Sequence, residues 1–92
     1  AYEPVWAISS TEGSRGGATP DAVLRSRLSV EKILVSLYGA RRARGVRIIY
    51  GGSVDGRTAA AILAEGRMDG LLVGRASLDA KKFGDIVRVA GA

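Results

Sequence analysis

The 92-residue chain contains no histidine and no cysteine. Without cysteine the chain forms no disulfide and offers no thiolate nucleophile. Without either residue it lacks the side chains that bind most zinc and transition-metal ions, so no metal site is expected. Mechanisms in which an imidazole acts as the general base are excluded for these residues as well.

Aromatic residues and long apolar runs are also scarce. One Trp, one Phe and three Tyr are too few for a platform on which nucleic-acid bases stack, so the formal charge of +5 does not favour a nucleic-acid partner. No run approaches the roughly 20 apolar residues that cross a bilayer. The opening AYEP includes an acid and no base, unlike a signal peptide. We therefore expect a cytoplasmic protein without a membrane partner.

Four arginines cluster between the first predicted helix and the strand that follows it: Arg41, Arg42, Arg44 and Arg47. Their charges would complement the C-terminal dipole of a helix, with the side chains in solvent. The alternative is an anion or nucleic-acid site, which predicts steeply salt-dependent DNA binding. The solvated helix end is the favoured interpretation.

The chain alternates short apolar runs with amphipathic segments. Residues 46–50, apart from Arg47, and residues 70–73 are apolar, and a glycine follows each run. Because polar alternation is lacking over at least part of their length, two strands buried on both faces are predicted. Residues 1–7 are predicted to be the end of a third strand. Residues 9–18 are polar and glycine-rich, which indicates a long loop.

Three helices are predicted between and after these strands. The first opens at Thr19 and Pro20 with a side-chain cap and a proline in the first turn, and it stops near Gly39. The others cover residues 58–65 and 79–90. Strands alternating with helices are typical of right-handed βαβ units and a parallel sheet, so the predicted fold class is α/β.

Glu3 is a candidate general base. It stands at the apparent carboxyl end of a strand, where parallel α/β barrels place their reacting groups. The apolar neighbours Trp6 and Ile8 would partly shield its carboxylate from water. A lone acid at such a position is more often simply solvated, and the residue pattern alone leaves both interpretations open.

Glycine-rich turns follow the other two predicted strands. Gly51, Gly52 and Ser53 come directly after one strand, and the sequence GRAS at residues 74–77 follows the other. Successive glycines let the main chain approach a ligand, and two such turns on neighbouring strands would converge on one phosphate. Tight strand-to-helix turns without a ligand are an equally good interpretation.

Three stretches resemble signature motifs of the triosephosphate isomerase family. They are AYEPVWAI at residues 1–8, YGGSV at residues 50–54, and LVG-x-ASL at residues 72–78, in the family's order and close to its spacing. The resemblance implies a partial (β/α)8 TIM barrel of alternating helices and parallel strands, with the barrel incomplete. Residues 1–92 are then expected to form a single C-terminal portion, from the end of strand 6 to the last helix.

The resemblance also implies roles for individual residues. Glu3 corresponds to the base that interconverts glyceraldehyde 3-phosphate and dihydroxyacetone phosphate in glycolysis and gluconeogenesis, so triose phosphate is the expected small-molecule partner. Tyr50 and Ser53 resemble residues that hold a closed lid. No metal or organic cofactor is implied. The expected phosphate-binding residues are Gly52, Ser53, Gly74 and Arg75, and the expected lid begins with Pro4, Val5, Trp6, Ala7 and Ile8.

The sequence departs from the family pattern at two places. Residues 9–11 are Ser-Ser-Thr where the family usually continues Gly-Thr-Gly, and the loop that follows is a few residues longer. Arg75 stands where the family usually has a second glycine. An arginine is unstrained there only if the main chain does not need a positive φ.

The family's substrate-binding Asn and Lys and its electrophilic His belong to the N-terminal part of the barrel, outside the resemblance. We therefore expect the isolated chain to have negligible isomerase activity. The alternative is a non-catalytic, self-associating α/β module that keeps a vestigial phosphate site.

Two strands and a strand tip cannot close a barrel, so their open edges predict a homo-oligomer, or a complement with an N-terminal segment. Four copies with two strands each would supply eight strands. Ile48, Tyr50, Leu71 and Val73 are expected on the inner face of the sheet, where the opposite wall would be missing.

Overall fold

A computed structural model describes residues 1–5 and 18–91. Helices alternate with short strands, as the α/β prediction requires. In chain order the elements are α1 (Pro20–Tyr38), α2 (Ala40–Arg44), β1 (Ile49–Tyr50), α3 (Gly56–Ala64), β2 (Gly70–Leu71), a 3-10 turn (Arg75–Leu78) and α4 (Ala80–Gly91). Among the described residues, no helix is both long enough and apolar enough to cross a membrane.

The sheet is parallel throughout. Strands β1 and β2 pair with Ile49 opposite Gly70, and Tyr50 opposite Leu71. On the other side of β1, Tyr2 forms a parallel bridge with Tyr50. The Tyr2 N–H donates to the Ile49 carbonyl and the Gly51 N–H donates to the Tyr2 carbonyl, both at 2.8 Å. Within residues 1–5, the third strand expected at the N-terminus is present as a single bridge, and the other two predicted strands are shortened to the residues that pair.

Helix α1 has the bounds that its capping residues predict. The Thr19 hydroxyl accepts a hydrogen bond from the Ala22 N–H at 3.2 Å, and Pro20 opens the first turn. The helix ends at Gly39, whose φ of 85° is a conformation that favours glycine.

Helix α3 begins two residues earlier than the prediction at residue 58. Its N-cap is Asp55, whose carboxylate accepts hydrogen bonds from the Arg57 and Thr58 N–H groups at 2.8 and 2.9 Å. The Thr58 hydroxyl in turn accepts from the Asp55 N–H, which completes a capping box. The two main-chain donors also lower the pKa of Asp55, because they bind its charged form.

Three of the four clustered arginines, Arg41, Arg42 and Arg44, lie in a separate short helix, α2, and Arg47 lies beyond its end. Gly39 breaks the two helices apart, and Ala43 is the residue of α2 that packs inward. The side chains of Arg41, Arg42 and Arg44 are exposed and lie in the last turn of α2, where cations complement the helix dipole.

The hydrophobic core lies between one face of the sheet and the helices. Its buried members are Val23, Ile48, Tyr50, Ile62 and Met68. The prediction that Ile48, Tyr50 and Leu71 face a missing barrel wall is therefore wrong. These three side chains pack on the helix side of the sheet.

The opposite face of the sheet carries the neighbouring residues, because side chains alternate along a strand. Ile49 and Leu72 lie on this face, and Leu72 is 47% exposed. Val73, the fourth residue predicted to face the missing wall, is half-buried beside the strand ends. The uncovered wall of this sheet is thus the Ile49 and Leu72 face.

Arg27 connects α1 to both strands through an ion-pair network. Its guanidinium is 14% exposed and lies 2.7 Å from Glu31 and 3.0 Å from Asp69. The Asp69 carboxylate also accepts the Ile48 N–H at 2.8 Å, beside the start of β1. This main-chain bond, followed by Arg27, lowers the pKa of Asp69, since both stabilise the charged carboxylate.

Replacing Asp69 with Asn should destabilise the fold in a pH-dependent way. At about pH 7 we expect a loss of about 1 kcal/mol, at the low end for bonds to a charged group because the Asp69 side chain is 38% exposed. Because the pKa of Asp69 is lowered in the fold, its charged carboxylate stabilises the native state above the ordinary carboxyl pKa of about 4. This stabilisation is lost as the pH falls through the lowered pKa of Asp69. Urea unfolding at about pH 7 and about pH 2 measures both effects.

The matched control is Asp21→Asn, which removes the exposed Asp21–Arg25 pair on α1. This change should cost less than about 0.5 kcal/mol at either pH. An Asp69→Asn deficit equal to that of the control, or one that does not shrink in acid, would contradict the role of the network.

Candidate functional site

The carboxyl ends of the three parallel segments meet around one open cavity of about 390 Å³. Carboxyl ends of parallel strands share one edge of a sheet, so residues that directly follow the strands come together there. The cavity is lined by Glu3, Gly51, Gly52, Ser53, Val54, Leu72, Val73, Gly74, Arg75 and Ala76.

Glu3 reaches this cavity because it follows Tyr2, whose side chain packs against the core. Alternation then directs Glu3 to the opposite face of the sheet. A Cβ built on Gly51 would lie 2.6 Å from the Cγ of Glu3, so the carboxylate side chain occupies space that only glycine leaves open. The Glu3 side chain is exposed. The shielding of the Glu3 carboxylate by Trp6 and Ile8 stays a prediction, because both residues lie outside the described ranges.

The turn after β1 is shaped by Tyr50 and Ser53. A Cβ on Gly52 would lie 2.2 Å from the Tyr50 hydroxyl oxygen, so the main chain passes directly over the phenol. The Ser53 hydroxyl oxygen is buried and has no hydrogen-bond partner within residues 1–5 and 18–91. A buried hydroxyl is costly without a partner, and this one lies at the cavity.

The turn after β2 begins at Gly74, which precedes the short 3-10 turn. The Ser77 N–H and hydroxyl both donate to the Gly74 carbonyl, at 2.9 and 2.6 Å, and close the turn. Arg75 does not have a positive φ, since Arg67 is the non-glycine residue with φ above zero among those described. Arginine therefore replaces the family's glycine without backbone strain.

Tyr50 holds the chain at Ala18, just before α1. Its side chain is completely buried, and its hydroxyl accepts a hydrogen bond from the Ala18 N–H at 3.1 Å. Burial raises the pKa of Tyr50, because the phenolate would be poorly solvated. Of the expected lid residues, Pro4 is buried and Val5 is 66% exposed. Trp6, Ala7 and Ile8 lie outside the described residues.

Several residues that contribute to this region were not among the predicted site residues. Leu72 and Val73 line the cavity because they directly follow β2, whereas Val54 and Ala76 lie farther along the segments after β1 and β2. Ala18 has no side-chain signal, because it contributes only its N–H. Within the described ranges no group of three or more potential metal-binding side chains occurs.

Parallel strands alternating with helices, with a cavity at the carboxyl ends of the strands, define a sector of a (β/α)8 barrel. A family model described as triosephosphate isomerase matches residues 1–90 of the chain. The chain belongs to the triosephosphate isomerase family.

Curated relatives of this chain carry the same description. The triosephosphate isomerase of Xanthobacter flavus is 46% identical over 91 residues, which cover 99% of this chain and 34% of the relative. That of Thermus thermophilus is 43% identical over 91 residues, which cover 99% of this chain and 35% of the relative. The chain thus spans about a third of the length of the relatives it matches.

Replacing Tyr50 with Phe tests the bond to Ala18. The change keeps the buried ring but removes the acceptor, so we expect a loss of about 1 kcal/mol and faster hydrogen exchange of the Ala18 N–H. Because the pKa of Tyr50 is raised in the fold, its neutral phenol contributes its full stability below the ordinary tyrosine pKa of about 10. This stability is lost as the pH rises through the raised pKa of Tyr50. The variant should therefore lose less stability than the native chain at strongly alkaline pH.

Tyr38→Phe is the control, since Tyr38 is 58% exposed at the end of α1. It should leave stability near neutral pH within about 0.5 kcal/mol of the native value. Equal effects of the two substitutions, or unchanged exchange at Ala18, would show that the Tyr50 hydroxyl does not hold this point of the chain.

Proposed function

We propose that these residues supply the catalytic base and the phosphate-binding turns of a triosephosphate isomerase, acting within a complete barrel. The observation that carries the proposal is the shared cavity at the strand ends, which Glu3 lines together with both glycine turns. A carboxylate and an anion-binding turn a few ångströms apart suit a substrate that is a small phosphate ester with an acidic C–H bond.

Glu3 is proposed to remove a proton from the carbon beside the substrate carbonyl. The electron pair of that C–H bond forms the carbon–carbon double bond of an enediolate, and the carbonyl oxygen takes the negative charge. The hydroxyl proton then moves to the former carbonyl oxygen, and the proton held by Glu3 returns to the neighbouring carbon. These two transfers complete the exchange between glyceraldehyde 3-phosphate and dihydroxyacetone phosphate. No electron leaves the substrate, so the reaction needs no redox cofactor.

The phosphate is proposed to bind between the two glycine turns. Main-chain N–H groups of Gly52, Ser53, Gly74 and Arg75 are the proposed donors, because exposed amides in tight turns bind anions. The buried hydroxyl of Ser53 would gain an acceptor in a phosphate oxygen. Binding at this point would place the three-carbon part of the substrate toward Glu3.

A lid formed from Pro4 to Ile8 is proposed to close over the bound substrate and exclude water. The resemblance of Tyr50 to a residue that holds a closed lid supports this proposal, and its hydroxyl accepts a hydrogen bond from the Ala18 N–H.

The isolated 92 residues are proposed to be inactive. The chain has no histidine to act as electrophile. Lys32 lies on α1, and Lys81 and Lys82 lie on α4, so none of them lines the cavity beside Glu3. Each missing group that stabilises the transition-state charge typically costs about 3 kcal/mol. The rest of the barrel must supply these groups. Because the proposed reaction belongs to glycolysis, we also propose a cytoplasmic location.

Complementation tests this function. The chain is mixed or fused with the first two thirds of the Xanthobacter flavus enzyme, and turnover of glyceraldehyde 3-phosphate is measured. We expect activity only in the combination. Glu3→Gln should lower kcat by roughly 10³-fold with little change in KM, because the base acts on the reacting proton and does not bind the phosphate.

The matched control is Glu65→Gln at the exposed end of α3, which should leave kcat unchanged. Turnover by the chain alone that disappears with Glu3→Gln would refute the inactivity of the isolated chain. An active combination that tolerates Glu3→Gln would show that another group is the base.

The second candidate is a non-catalytic module that associates with itself and retains the phosphate site. The exposed apolar side chains favour it: Leu72 on the uncovered face of the sheet is 47% exposed, and Leu78 is 88% exposed. The outer edges of Tyr2 and β2 also carry main-chain groups that no strand in the described residues pairs. A second copy would cover both features.

Light scattering on the isolated chain measures this association. We expect a species larger than a 9.6 kDa monomer at about 100 μM. Leu72→Lys should shift it toward monomer by at least about tenfold in dissociation constant, because a charge on the uncovered face must be desolvated on contact. The control Ala60→Lys, at an exposed position of α3, should not shift the equilibrium toward monomer. A monodisperse, cooperatively folded monomer would exclude the self-associating module.

A further inference from the structure

Arg75 occupies the boundary between two cavities. It lines the cavity at the strand ends and also a second one of about 500 Å³, which extends between the N-termini of α3 and α4. Val54 and Ala76 are the other residues shared by both. A side chain at this boundary can approach a ligand of the first cavity from its outer side.

The acidic side chains of the second cavity are already engaged. Asp55 accepts the main-chain N–H groups at the start of α3, and Asp79 accepts those of Lys81 and Lys82 at 3.0 and 3.1 Å. Asp85 accepts from the Arg88 guanidinium at 3.0 Å. None of the three carboxylates pairs with Arg75, although all line the same cavity.

Arg75 therefore differs from the arginines that form ion pairs in this structure. Ion pairs within the described ranges involve Arg25, Arg27, Arg57 and Arg88, whereas Arg75 has no carboxylate at ion-pair distance. Its main chain is part of the same turn as Gly74, so the side chain starts at the proposed phosphate position. An exposed cation with no carboxylate partner in residues 1–5 and 18–91, beside the proposed phosphate-binding turn, is available to a ligand.

We propose that the Arg75 guanidinium binds the substrate phosphate directly and strengthens the binding of its dianion at this site. The proposal rests on the phosphate site of the proposed function and adds a ligand where the family usually has glycine. Main-chain N–H groups supply dipoles without net charge. A guanidinium supplies a full positive charge and two parallel N–H donors, which match two phosphate oxygens.

The added charge predicts how binding depends on the protonation of the ligand. A phosphate monoester has a second pKa of about 6, so it is mainly monoanionic at about pH 5 and dianionic at about pH 8. Arg75 should strengthen binding of the dianion more than binding of the monoanion. Amide donors alone would give a smaller difference between the two.

The test is a titration of the 92-residue chain with glycerol 3-phosphate, followed by amide NMR shifts at low ionic strength. Arg75→Gln should raise Kd by about tenfold at about pH 8 and by about threefold at about pH 5. Arg75→Lys, which keeps the charge and loses the planar fork, should give an intermediate Kd. Shifts are expected at Gly52, Ser53 and Gly74 in every variant that binds.

Arg57→Gln is the matched control, because Arg57 is a similarly exposed arginine that lines the second cavity alone. Arg57→Gln removes one positive charge, as Arg75→Gln does, and should alter Kd by less than about twofold. Equal effects of Arg57→Gln and Arg75→Gln, with binding intact in the native chain, would overturn the role of Arg75 only. Absence of shifts at both glycine turns in the native chain would overturn the phosphate site itself and Arg75 with it.

Discussion

The parallel pairing of three short segments is the constraint on which the rest of this molecule depends. Two main-chain hydrogen bonds of 2.8 Å join Tyr2 to the β1 region, and β2 continues the sheet on the other side of β1. Because all three run in one direction, the residues that follow them lie at one edge of the sheet. Parallel strands also need long crossover connections, here helical, and these helices cover one face. The strand direction therefore determines both where the site forms and where the core forms.

Side-chain alternation then separates the core from the site. Tyr2 packs against the core while Glu3, the next residue, lines the cavity. Tyr50 and Gly51 repeat the pattern: the phenol is buried and holds Ala18, and the glycine leaves the space that the Glu3 side chain occupies. A shift of one residue in the register would exchange these faces and bring a tyrosine to the place of the carboxylate.

Short-range signals predict the helices of this fold more completely than the strands. Thr19, Pro20 and Gly39 act within one turn of the chain, so the bounds of α1 could be read from the sequence. The face of Ile48 and Tyr50 could not, because alternation after Arg47 separates the two faces of the run but does not show which face the helices cover. Packing against α1 and α3 decides that. The meeting of Glu3 with both turns followed from strand direction, whereas the bond from Ala18 to Tyr50 joins residues 32 apart and leaves no local signal.

The residues gathered at this edge would serve the proposed binding and proton transfer unequally. Contacts from the glycine turns and the Arg75 guanidinium that are equally strong in the ground state and the transition state would lower KM without raising kcat. As the proposed base, Glu3 would need another group to stabilise the charge that builds up on the substrate oxygen, and the 92 residues contain no histidine for that role. Affinity for the phosphate can therefore reside in this sector of the barrel, while catalysis requires that the sector be joined to the rest.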